Sequence, residues 1–160
     1  MKSILPLAGA LAESWEEIVL AVNSTPSSND MTRGEAEAIL AALPARIALG
    51  RLRDSGRLRI VETGTGTPGI DLTGIGASVD GEVAGAEAII LEGQGRGVET
   101  TWSARFRLPA ARLAVVKDPL VAEAAGLALM QPLLRRQPAA GEHDPSSSRG
   151  EESTRDGSGR

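Results

Sequence analysis

Ile18-Val19-Leu20-Ala21-Val22-Asn23-Ser24-Thr25-Pro26-Ser27-Ser28-Asn29-Asp30-Met31-Thr32 (IVLAVNSTPSSNDMT) is the stretch that sets the fold class. Together with Glu17 it opens as a short, largely β-branched apolar run, the pattern of a buried strand. The run stops at Asn23, and a polar loop follows to Asp30. Thr32-Arg33-Gly34-Glu35 then has the spacing of a capping box, and Ala36, Ile39 and Leu40 supply an apolar helical face. Strand, polar loop, capped helix is half of a βαβ unit.

The same order recurs on either side. Upstream, Ile4, Leu7, Ala8 and Leu11 recur at helical spacing, predicting a helix over Ile4 to Glu13. The short apolar run beside Lys2 also fits a brief signal peptide, the lesser alternative to a cytoplasmic chain. Downstream, Pro44 to Asp54 continues as a helix, and Arg57 to Val61 reads as a strand. Gly64 to Gly69 is a loop by composition, and Ile70 to Glu82 is weakly helical. Ala86 to Leu91 is a buried strand that ends in Glu92-Gly93-Gln94-Gly95-Arg96-Gly97. A polar helix is expected over Val98 to Phe106, a strand over Leu113 to Val116 and a helix over Leu120 to Ala125. A last apolar run reaches Leu134. Alternation of this kind predicts an α/β protein with a mostly parallel open sheet flanked by helices, and ligands at the carboxyl ends of the strands.

Composition narrows the chemistry. The chain has 160 residues, with 17 Lys and Arg against 21 Asp and Glu, a net charge of −4. Residues 1–136 form the expected domain. Residues 137–160, Gln137 to Arg160, hold only two apolar residues, both Ala, and read as a disordered polar tail. There is no Cys, and the one His, His143, lies in that tail. Thiol nucleophiles, Cys- or His-ligated metals and His general bases are therefore excluded from the body. The body is mildly acidic and has few aromatic residues, so a nucleic-acid surface is not expected. No apolar run is long enough to span a bilayer, so no membrane partner is expected. Any metal must be held by oxygen ligands, which favours hard divalent cations.

The polar groups of interest all fall at strand ends. Asn23, Asn29 and Asp30 offer oxygen donors for such a cation, although Asx residues also fill turns and cap helices. Gly93-Gln94-Gly95-Arg96-Gly97 departs from the dinucleotide fingerprint because its third Gly comes one residue early. Its backbone N–H groups would still hold an oxyanion, and Arg96 would add a bidentate phosphate contact; a plain turn with a solvated Arg is the alternative. Lys117 ends a strand and would neutralise a phosphoryl oxygen, or else would pair with Asp118 at the surface. With no nucleophile–base pair present, metal-activated water is the natural attacking group.

These residues carry a resemblance. IVLAVNSTPSSNDMT, Pro68 to Leu72, Ala88 to Thr100 (AIILEGQGRGVET) and Leu113 to Glu123 (LAVVKDPLVAE) together resemble the damage-control phosphatase family, in particular the domain found at the C-terminus of pantothenate kinase 4. The resemblance runs over Ile4 to Leu134. It implies an α/β/α domain and a phosphatase that depends on Mg, Mn, Co or Ni. The implied substrate is a phosphopantetheine-like or other damaged small phosphorylated metabolite. By the same resemblance Asp30 is a metal ligand and, with Lys117, catalytic, while Asn23, Glu92, Gly93, Gly95, Arg96 and Lys117 meet the substrate.

The chain also departs from the family pattern. The family's Asp-Asn-x-Gly motif, which supplies further metal ligands, is absent. Gly66 stands where a close relative would have Asp, and Thr101 where it would have Asn. The expectation is a sheet incomplete on its N-terminal side and a chain weak or inactive alone, completed by the missing N-terminal region or a partner chain. Two other readings remain: a non-catalytic α/β remnant or binding module, and a nucleotide-binding domain resting on the imperfect Gly loop.

Overall fold

The computed structural model describes residues 4–28 and 30–141. Asn29 and His143 lie outside them. The elements run α1 (Ile4–Leu11), β1 (Ile18–Val22), α2 (Arg33–Ala42), α3 (Ala48–Asp54), β2 (Leu58–Glu62), α4 (Ala77–Gly85), β3 (Ile89–Glu92), β4 (Ala110–Val115), α5 (Pro119–Ala125) and β5 (Pro132–Gln137). A five-residue π-helix, Gly95–Glu99, follows β3.

The fold is mixed α/β with parallel strand pairs and flanking helices. β1 pairs with β2 in parallel from Ile18↔Leu58 to Val22↔Glu62. β3 pairs with β4 in parallel from Ile89↔Ala110 to Glu92↔Leu113. Among the described residues these are two sheets, β1-β2 and β3-β4-β5, where one was expected. β5 is antiparallel to β4, from Ala110↔Gln137 to Val115↔Pro132. It spans the end of the last apolar run and continues to Gln137, the residue at which the tail was expected to start.

Local chemistry explains the elements. The Glu35 carboxylate accepts from the Thr32 N–H at 2.9 Å and the Thr32 hydroxyl at 2.8 Å, so the expected capping motif does start α2. α3 starts later than expected because Pro44 to Ile47 forms a turn, with the Ile47 N–H donating to the Pro44 carbonyl. The Asp118 carboxylate accepts from the N–H groups of Leu120 and Val121, Pro119 takes the first turn, and Gly126 at φ 65° ends α5.

No helix covers Val98 to Phe106. The π-helix begins earlier, inside the Gly-rich loop, and the threonines that follow close it. The Thr100 hydroxyl donates to the Gly95 carbonyl at 2.8 Å, and the Thr101 hydroxyl donates to the Arg96 carbonyl at 2.5 Å. Side chains that bond back to the backbone in this way compete with helical continuation.

The apolar interior is divided. One cluster joins Ala8, Leu20, Leu40, Leu49, Leu52 and Leu58, and a second joins Val22, Met31 and Ala36; both lie around β1 and β2. A third, Val98, Val116 and Ala122, belongs to the β3-β4-β5 half. Each buried Leu contributes about 2 kcal/mol. The second half also holds a buried cation. Arg112 is 1% exposed, and its guanidinium donates to the carbonyls of Thr101 and Ala104 and to the Gln137 amide oxygen. Burial, with Arg135 and Arg105 nearby, lowers its pKa from the ordinary arginine value. Arg135 lies over the Trp102 ring, 4.0 Å from its centroid.

Candidate active site at the strand ends

The carboxyl ends of β1, β2, β3 and β4 supply the loops of interest. The loop after β1 is stitched to the loop after β2: the Ser24 N–H donates to the Thr65 carbonyl at 2.9 Å, and the Asn23 amide nitrogen to the Thr67 carbonyl at 3.3 Å. The loop after β2 continues to the one after β3. There the Ile70 N–H donates to the Thr100 hydroxyl at 3.0 Å. Gly69 lies so close to Thr100 that a Cβ on it would stand 2.6 Å from the Thr100 methyl, and its φ is 79°. Only glycine fits that position without strain.

Asp30 and Arg96 meet across this cluster, with Nη2 to Oδ1 at 2.9 Å. Their side chains are 14% and 25% exposed, so the pair is partly shielded from water. The Asp30 N–H donates to the Ser27 carbonyl at 3.0 Å, which holds the carboxylate on a tight turn. Lys117 joins through Gln94. The Gln94 amide oxygen accepts from the Lys117 N–H at 2.6 Å and the Asp118 N–H at 3.3 Å, while its nitrogen donates to Glu99 at 2.6 Å. Gln94 thus ties the Gly-rich loop to the end of β4; sequence reading did not single it out. The charged tip of Lys117 is on an exposed residue.

The remaining site candidates have other neighbours. Asn23 is buried at 2% exposure, and its side chain serves the loop after β2. Glu92 ends β3, half-buried, in register with Leu113. The Gly93 N–H donates to the Leu113 carbonyl at 2.8 Å, and Gly93 takes a φ of 98°. Its amide therefore extends the ladder rather than facing a ligand. The Gly95 carbonyl is taken by Thr100. An apolar groove of about 280 Å³ between α1 and α3, and a mixed apolar and charged groove of about 500 Å³ over β2, share no lining residue with these loops.

The donor set decides what could bind. Among the described residues no three His, Cys, Asp or Glu side chains gather as metal ligands. The Asp30 carboxylate already faces a guanidinium, and the Asn23 amide nitrogen faces a carbonyl. These side chains by themselves do not fit a divalent cation, which needs about six oxygen ligands. Arg96, by contrast, presents a planar donor fork suited to phosphoryl oxygens.

An α/β protein with polar loops gathered at the carboxyl ends of its strands has the layout of a ligand-binding domain. The damage-control phosphatase ARMT1-like domain matches residues 4–132, and the chain belongs to that family. A damage-control phosphatase of Arabidopsis thaliana is 35% identical over 123 residues, covering 77% of this chain and 34% of that protein. Pantothenate kinase 2 of Oryza sativa subsp. japonica is 32% identical, covering 75% of this chain and 16% of the kinase. The 4'-phosphopantetheine phosphatase of Mus musculus is 27% identical, covering 77% and 21%. A crystal structure of a DUF89 family protein from Pyrococcus horikoshii shares the fold at a TM-score of 0.59 and 22% identity, covering 75% of this chain and 37% of that one. The chain spans about a third or less of the length of these relatives. No described helix is long and apolar enough to cross a membrane.

Proposed function

We propose that this chain carries the phosphate-recognising part of a damage-control phosphatase site. Its substrate is a small phosphorylated metabolite of the phosphopantetheine-like or otherwise damaged kind. The observation that carries the reading is the 2.9 Å contact between Asp30 and Arg96, which joins two loops from different sheets at one strand-end cluster.

In this reading Arg96 takes the phosphoryl oxygens, bidentately where geometry allows, and Asp30 holds the guanidinium in place before the ester arrives. Lys117, on the strand end gripped by Gln94, adds positive charge as the transition state forms. Asn23 keeps the two neighbouring loops in register. A divalent cation, Mg, Mn, Co or Ni, is the cofactor that the family implies, and the described side chains do not by themselves form its site. Because the described side chains form no coordination set, turnover by these 160 residues alone is expected to be weak. That same lack favours a second reading, a non-catalytic phosphate-binding module.

The test is hydrolysis of p-nitrophenyl phosphate and phosphopantetheine with each of the four metals, beside inorganic phosphate binding followed by NMR. Phosphate binding that Arg96→Ala weakens at least tenfold is expected. Binding that Arg96→Ala and Lys117→Ala both leave unchanged overturns the site. Phosphate binding without turnover under any metal selects the binding module.

A further inference from the structure

We infer that Arg105 and Arg135, gathered about the buried Arg112, form an anion site apart from the strand-end loops. Its ligand is a small anion with two or more linked phosphoryl groups.

Charge is placed unevenly along the chain. Residues 4–100 hold seven Arg against fourteen acids, whereas residues 101–141 hold six Lys and Arg against two. Of those two acids, Asp118 caps α5 beyond the carboxyl end of β4, and Glu123 is exposed on α5. The arginines of this stretch lie toward the other end of the strand. Arg112 opposes Arg135 in the β4–β5 register, and Arg136 follows. Among the described residues no carboxylate pairs with Arg105, Arg107, Arg112, Arg135 or Arg136, while Arg33, Arg53, Arg59 and Arg96 each have one. Glu87, just before β3 at the same end of the sheet, forms no ion pair with any of the five.

The segment from Thr101 to Phe106 folds these cations together. Arg112 donates to the carbonyls of Thr101 and Ala104, and its guanidinium lies 5.5 Å from the centroid of the Phe106 ring. Arg105 stands in the chain between those two contacts, exposed and without a side-chain hydrogen bond. Arg135 donates from Nη1 to the Trp102 carbonyl at 2.9 Å and stacks on the Trp102 ring. The Gln137 amide nitrogen, donating to the Phe106 carbonyl at 3.3 Å, pins the same segment to β5. Like charges brought together repel, and each disfavours the charged form of the others. Beside burial, Arg135 and Arg105 both act on Arg112 in this sense. A bound anion would turn that repulsion into attraction.

The three cations divide the work. Arg112 is committed to Thr101, Ala104 and Gln137, so it acts as a fixed buried charge. Arg135 has its plane set by the Trp102 ring and keeps N–H donors beyond the one given to Trp102. Arg105 supplies a second, adaptable fork from the surface. A single phosphoryl group carries at most about two negative charges near neutral pH. Three guanidinium charges therefore match a diphosphate or triphosphate better than a monophosphate. β4 separates this place from Lys117, on the order of 15 Å away along the strand. The inference stands apart from the phosphatase reading, whose Arg96 lies on the loop after β3.

The experiment titrates inorganic diphosphate into the whole isotope-labelled chain at constant ionic strength. NMR reads the backbone amides from Thr101 to Arg107 and the Trp102 indole N–H. The expected result is saturable shifts at these groups, with orthophosphate binding here at least tenfold more weakly. Arg105→Ala and Arg135→Gln should each weaken diphosphate binding at this place at least fivefold, and Arg96→Ala should leave it unchanged. Arg105→Ala is the deciding variant, because its exposed side chain holds no part of the fold. Shifts that do not saturate, that sodium chloride reproduces, that Arg105→Ala leaves intact, or that stay on the Arg96 loop overturn the site. A short polyglutamate peptide that binds here more tightly than diphosphate gives the cluster to an acidic polypeptide and overturns the small-anion assignment as well.

Discussion

Arg96 reaches Asp30 across the boundary between the two sheets, guanidinium to carboxylate at 2.9 Å, although the residues lie on loops that follow β1 and β3. Removing either partner leaves a partly shielded charge facing no opposite one. Arg96→Ala should cost phosphate binding at least tenfold. Arg96→Lys should recover only part, since an ammonium lacks the planar fork. Asp30→Asn should retain the loop and loosen Arg96, giving a smaller loss. Titration of inorganic phosphate into the three variants checks the ranking.

Arg112 is the structural cation. Its guanidinium supplies donors to Thr101, Ala104 and Gln137 from a site that is 1% exposed. Arg112→Leu would strand those acceptors, at a cost of about 3 kcal/mol. The melting temperature should fall by about 10 °C. Arg112→Lys should rescue little, because one ammonium cannot serve acceptors spread over three residues. Thermal unfolding by circular dichroism measures both.

Acid should loosen the start of α2. Hydrogen bonds from the Thr32 backbone, then from its hydroxyl, hold the Glu35 carboxyl below its ordinary value of 4.5. A lowered pKa in the folded state stabilises above the unfolded value, and the gain is lost as pH falls through the folded value. Glu35→Ala should therefore melt lower than the parent near neutral pH, with the gap closing as the solution is taken below pH 4.5. A gap that stays constant through that range would contradict the assignment.

Gly50 is set by contact rather than by backbone angle. A Cβ there would stand 2.2 Å from the Pro44 carbonyl oxygen, which belongs to the turn that delays α3. Gly50→Ala should push helix and turn apart at a cost of about 2 kcal/mol. Gly34→Ala, where a Cβ meets no atom within 4 Å, is the control and should be neutral or slightly stabilising. Parallel urea titrations compare them.

Local chemistry made much of this fold readable. The Thr32–Glu35 spacing describes groups that satisfy their own neighbours, and the helix it starts lies where expected, as does the short helix that ends at Ala125. The loops that carry Asn23, Asp30, Arg96 and Lys117 were legible as strand ends for the same reason. Failures came where distant groups decide. The Gly95–Glu99 π-helix depends on threonines bonding back to carbonyls that a helix would have used. Arg112 lies one residue before the strand expected at Leu113, and its burial appears only once the Thr101–Ala104 loop folds over it. β5 runs on through Arg135 and Arg136, beyond the last apolar run, to Gln137, the expected first residue of the tail; pairing with β4 gives it regularity. Gln94 had no signal beyond its place between two glycines.

The divided apolar interior bears on how the molecule comes apart. Where a small domain has one continuous interior, heat dismantles it in a single cooperative event. Here the Leu20-centred and Val116-centred clusters have no member in common, so each half keeps its own melting behaviour. Calorimetry should record a broad or two-humped endotherm, one hump for the loss of each half.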